Sequence, residues 1–180
     1  MRRSLLTLSL VGWLSAASLC WAHGTVATQA APRTIAVSGP LAAPPPGVTD
    51  LKFREMFQLP IGPKGLALSD KLRQLDGKPV RMVGYMVAQE SASAGEFILS
   101  PLPVEIGDED ESLSDDLPAS SIFVHLAPEA AVRTVPNLGG LLRVTGTLRI
   151  GVHDEPDGRV SSFRLELDEP TSQTFAPSAR

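Results

Sequence analysis

The chain has a single cysteine, Cys20, in 180 residues. It lies in an N-terminal apolar segment that export would remove. The mature protein then has no disulfide, no thiolate nucleophile and no thiolate metal site. Aromatic residues make up 5% of the chain, which leaves little for base stacking. Basic residues are also in short supply, with 16 Lys plus Arg against 20 Asp plus Glu and a formal charge of −4. A nucleic-acid surface needs the opposite balance, so no nucleic-acid partner is expected. The sequence contains no Gly-rich phosphate loop, zinc-ligand spacing or dinucleotide fingerprint, and no cofactor is expected. Beyond the first 22 residues no apolar run is long enough to cross a bilayer, so the mature chain has no transmembrane helix.

The first segment has the pattern of a secretory signal. Arg2 and Arg3 form a basic start, Leu5 to Leu19 is uncharged and Leu-rich, and Cys20-Trp21-Ala22 offers small residues for cleavage after Ala22. A second site is Thr25-Val26-Ala27. A lipoprotein reading would instead acylate Cys20, but Leu19 stands where a small residue is wanted. The expectation is a signal peptide over residues 1–22 and a periplasmic or secreted protein. Residues 23–49 are rich in Ala and Pro, include Pro44-Pro45-Pro46 and carry no helical or strand period. They read as a flexible tether. The folded domain is expected over residues 50–170, with a disordered tail over 171–180.

Sixteen prolines argue against a helical bundle. Leu68, Leu72 and Leu75 fall on one helical face, predicting a short helix over residues 66–75 closed by Asp76-Gly77. The period then changes to two. Strands are predicted over residues 78–89, 96–100, 120–126, 141–151 and 160–167, with one or two helical turns over 128–135. Gly84, inside the first strand, predicts a bend or bulge. Asp157-Gly158 marks a hairpin turn. This order of elements predicts a mostly β domain, a small five-stranded OB-like barrel with one or two short helices.

Three groups of residues are candidates for chemistry. Arg81 and Tyr85 on the first strand, with Arg143 and Arg149 on the fourth, share a face suited to a small anion or a peptide strand. The alternative is that these arginines pair with nearby acids such as Glu166 on the surface. The loop from Leu102 to Pro118 holds Glu105, Asp108, Glu109, Asp110, Glu111, Asp115 and Asp116. Such oxygen donors suit calcium, and Asp108, Asp110, Asp115 and Asp116 are the candidate ligands. The EF-hand spacing fails, because Leu113 stands where glycine is needed and Ala119 where glutamate is needed. The alternative readings are a solvated charged loop that keeps the edge soluble and a docking loop for a basic partner. For copper, the donors are His23, whose amine and imidazole cleavage would free, with Met82 and Met86 on one strand face. His125 lies on the third strand and His153 after the fourth. Ser120 and Ser121 precede His125, but no nucleophile-elbow pattern accompanies them. No catalytic constellation emerges, and the chain is not expected to be an enzyme.

Leu75-Asp76-Gly77-Lys78-Pro79-Val80-Arg81-Met82-Val83-Gly84-Tyr85-Met86-Val87 resembles an exported bacterial family of unknown function that carries an "LDGK-x-V-x-x-x-GYMV" segment. The later pieces Glu96-Phe97-Ile98-Leu99-Ser100-Pro101 and Arg143-Val144-Thr145-Gly146-Thr147-Leu148 extend the likeness over about residues 70–167. The family often has a Cys-His-Pro-rich stretch after the second strand. Here Pro103-Val104-Glu105-Ile106-Gly107 and the acidic run replace it, so the resemblance brings no thiol or metal ligand to that place. It implies an exported, OB-like, non-catalytic domain serving a transporter or envelope complex through an envelope protein partner. The alternative is a periplasmic metal-binding protein, with calcium at the acidic loop or copper at His23, Met82 and Met86.

Overall fold

The structure, a computed structural model, describes residues 28–89, 93–106 and 117–175. Short strands β1 (Gln29–Ala30) and β2 (Thr49–Asp50) lead to a single 3-10 turn (Phe53–Glu55) and helix α1 (Asp70–Gln74). Then come β3 (Pro79–Met86), β4 (Ala88–Gln89), β5 (Glu96–Ser100), β6 (Glu105–Ile106) and β7 (Ile122–His125). The chain continues through β8 (Leu138–Gly139), β9 (Leu141–Asp154), β10 (Val160–Glu166) and helix α2 (Glu169–Phe175). The protein is mostly β, around a six-stranded sheet of order β2-β3-β5-β7-β10-β9.

Strand β3 pairs on both sides. Residues Pro79 to Tyr85 run antiparallel to β9, and Tyr85 and Met86 run antiparallel to β5. Pairing therefore passes from β3 through β5, β7, β10 and β9 and returns to β3. Within that circuit only β7 and β10 are parallel. The period-two pattern sets the faces. Val80, Met82 and Met86, with Phe97, Leu99, Ile122, Val124, Leu142, Val144, Leu148, Phe163 and Leu165, point into the main core. Each such side chain contributes about 1.5–3 kcal/mol on burial.

Strand β5 is buried along its whole length because both of its faces are covered. On the face away from the main core, Ile98 and Phe123 join Val87 and Ile106 in a second cluster, with Val104 and Leu117 packed against it. The ends of the expected acidic loop are thus part of the packing. Gly84 has ordinary backbone rather than a positive φ, and its role is close approach. A Cβ there would come within 2.7 Å of the Phe53 ring and of the Ser100 carbonyl oxygen.

Several expected boundaries are corrected. Over residues 28–49 the proposed tether lies on the domain: Ile35 is buried in the main core. Val37 N–H donates to the Leu141 carbonyl, Arg143 N–H donates to the Ile35 carbonyl, and β1 pairs with β8. One apolar residue and free backbone groups are enough to dock a segment that has no period. The expected tail from residue 171 begins inside α2, where Phe175 is buried with its ring centroid 4.8 Å from that of Phe97. The helix expected over residues 66–75 begins only at Asp70, because the Ser69 hydroxyl accepts a hydrogen bond from Leu72 N–H as an N-cap. Leu68 instead bridges Phe57. Residues 128–135 form turns without helix.

Candidate functional site

The four residues expected on one ligand face do not share a site. Arg81 is 4% exposed. Its Nε and Nη2 donate to the two Asp50 carboxylate oxygens at 2.6 and 2.9 Å, and Nη2 also donates to the Ala42 carbonyl at 2.8 Å. This fork holds the Asp50 carboxyl below its usual range. Residues 42–50 thus cover the arginine that was expected to meet a ligand. Arg143 lies on the same open groove as Arg81, about 440 Å³ in volume, and donates to the Thr34 carbonyl. Tyr85 borders a different groove, beside Met86, Val104 and Leu138. Arg149 pairs with Glu166 at 2.9 Å. The arrangement serves mainly to hold the N-terminal segment on β3 and β9.

Of the copper donors, the two described methionines are packed into the core. Met82 is fully buried and Met86 nearly so, both as core filling. The Met86 sulfur accepts a hydrogen bond from Leu138 N–H. His23 and the acidic residues Asp108, Asp110, Asp115 and Asp116 lie outside the described residues. Ser121 Oγ and His125 Nε2 each lack a hydrogen-bond partner among the described residues, so no serine–histidine bond joins them.

Instead, the fold brings His125 to two carboxylates. Glu96 opens β5 and His125 ends β7, and the antiparallel register sets them directly opposite. Alternation places both on the face of Ile98 and Phe123, away from the main core. The β9–β10 hairpin supplies Glu155. Gly158, at φ 84°, makes the turn with its N–H donating to the Glu155 carbonyl, and Glu155 N–H donates to the Arg159 carbonyl. These bonds aim the Glu155 side chain inward, where it is 0% exposed. One ligand atom from each of Glu96, His125 and Glu155 lies within 4.8 Å of the others.

The site is rich in unmet polar capacity. His125 Nε2 stands 2.9 Å from Glu155 Oε2. Neither atom completes a hydrogen bond among the described residues, nor does Glu155 Oε1 or Glu96 Oε1. The contact is close, but its angle falls outside good hydrogen-bond geometry. Burial pushes the Glu96 carboxyl up to about 7. The negative charges of Asp157 and Glu155 add to the rise, and the Ser93 hydroxyl and Arg159 oppose it. Burial also lowers the His125 pKa, Glu155 opposes that shift, and the positive charge of Arg164 and the neighbouring His153 reinforce it. The rings of His125 and His153 meet edge to face at 6.0 Å. Arg159 is directed at Asp157, 3.6 Å away.

Sequence reasoning predicted both strands that carry Glu96 and His125 but did not join the residues. The pairing of the second and third strands was the available signal, since it sets Glu96 against His125. Glu155 offered less, because an acid before Asp-Gly reads as a solvated turn residue.

No family model matches the chain, and no curated protein matches it. Among solved structures it is similar to the crystal structure of a DUF3299 family protein from Pseudomonas aeruginosa PAO1. That likeness has 14% identity and a TM-score of 0.40, and it covers 69% of this chain and 93% of the other. Among the described residues no helix is long and apolar enough to cross a membrane.

Proposed function

We propose that the chain is an exported, non-catalytic binding domain of the bacterial envelope, built as an OB-type barrel and working through contact with a transporter or envelope complex. The observation that supports this reading best is the strand circuit β3-β5-β7-β10-β9, with its single parallel contact. An OB barrel needs this order, and its long first strand must serve two neighbours, as β3 does. OB domains bind on the face of the second and third strands and on the loops beside them. The matching region here is the outer face of β5 and β7, flanked by residues 87–89 and 93–95 and by the hairpin at residues 155–159. One part of that face is covered by Val104, Ile106 and Leu117. The part around Glu96 and His125 is the contact end in this reading. The N-terminal signal pattern and the resemblance to an exported family support the location.

The test combines two measurements on the chain expressed with its N-terminal segment in a Gram-negative host. Native mass spectrometry of the periplasmic extract is expected to find a chain beginning at His23. A full-length chain confined to the cytoplasm refutes export. Photo-crosslinkers at Val132 and Val152, which are 84% and 80% exposed, are expected to trap the same envelope protein repeatedly. No adduct at either position refutes the accessory role.

A further inference from the structure

We propose that Glu96, His125 and Glu155 form a binding site for a divalent transition-metal ion of the zinc class. The inference rests on these three side chains and not on the export or barrel reading. An imidazole with two carboxylates is a borderline donor set. It suits zinc better than copper(I), which wants sulfur, or calcium, which wants six or more oxygens.

Three observations carry it. The first is convergence, since one donor atom from each residue lies within 4.8 Å of the others. Donors about 2.1 Å from a tetrahedral ion stand roughly 3.4 Å apart, so small side-chain rotations close the site. The second is the unmet polar capacity. The Glu155 side chain is fully buried, and both its oxygens lack a hydrogen bond among the described residues, as does Glu96 Oε1. Buried carboxylates are expensive unless paired or bound to a metal. Among the described residues His125 is the basic side chain at contact distance from Glu155, and it leaves that contact undirected. Arg159 has Asp157 as its near acid. A divalent ion between the carboxylates would compensate both. The third is position. The His125 side chain is 24% exposed while its Nε2 is enclosed, so the donors lie just beneath the surface, with His153 beside them as a further ligand.

The experiment uses the purified chain, stripped with a chelator, at pH 7.5. Thermal unfolding is followed with zinc, manganese, copper and calcium, alongside Glu96→Gln, His125→Gln, Glu155→Gln and the triple variant. Zinc at about 100 times its dissociation constant is expected to raise the wild-type Tm by roughly 5–10 °C. Titration calorimetry is expected to show one tight equivalent that the triple variant lacks. Cobalt added in place of zinc is expected to give a ligand-field absorption that His125→Gln abolishes. If Glu155→Gln does not fold, as judged by circular dichroism, His125→Gln, at a side chain that is only partly buried, carries the test. A folded wild type with no zinc-dependent rise overturns the proposal. So does a rise left undiminished by the triple variant, which would place the ion at His23 or the acidic loop. A larger rise with calcium than with zinc overturns the assigned ion class.

Discussion

Without metal, replacing Glu96 by Gln should stabilise the protein at neutral pH and leave it nearly unchanged in acid. The folded protein holds the Glu96 carboxyl at about 7, against an ordinary value of 4.5. The folded state therefore prefers the protonated form. The associated stability is fully present below pH 4.5 and is lost as pH rises through 7. At about 1.4 kcal/mol for each unit, the loss is about 3 kcal/mol between pH 4 and pH 8. Glutamine has the shape of the protonated acid and cannot ionise, so the variant escapes it. His125 has the opposite dependence, because its lowered pKa removes stability as pH falls below 6.5. The difference between the two proteins, rather than the wild-type profile alone, isolates Glu96. The groups facing Glu96 are Ser93, His125, Glu155, Asp157 and Arg159, and all of them remain in the variant. Urea unfolding with chelator present, at several pH values from 4 to 8, reads the effect directly. The reasoning is refuted if the stability difference between variant and wild type does not change with pH, or if the variant loses stability on going from acid to neutral as the wild type does.

Phe175→Ala should cost about 3–5 kcal/mol in urea unfolding, because it removes a fully buried ring packed on Phe97. An unchanged midpoint would show that α2 does not dock. Asp50→Ala should cost about 3 kcal/mol, because it leaves the buried Arg81 guanidinium with only the Ala42 carbonyl. Arg81→Lys, with Asp50 intact, should also lose stability, since lysine cannot form the two-pronged bond. Full stability in that Lys variant, by the same assay, would contradict the account.

Much of the fold was legible because it depends on period. Strand β5 has the bounds that alternation predicts, and β3, β7, β9 and β10 fall within a few residues of theirs. Gly158 makes the turn announced by Asp157-Gly158. The N-cap Ser69 was also present in the sequence, but the leucine spacing on either side masked it. Residues 28–49 and α2 were misread for a different reason. Their docking rests on isolated residues, Ile35 and Phe175, and on backbone bonds, none of which leaves a periodic trace.

Alternation of apolar residues from Val80 to Leu167 already requires a β core. Composition likewise leaves soft-sulfur and thiol chemistry few donors. What the polar residues do depends on how the strands assemble. Arg81, exposed by its strand alternation, is buried because residues 42–50 cross over it and Asp50 neutralises it. Glu96 and Glu155, separated by 59 positions in the chain, meet at His125 because strand pairing and a hairpin turn converge there. Burial propagates through local alternation and can be read along the chain. A cluster of charges depends on which strands become neighbours, and that is a property of the assembled sheet.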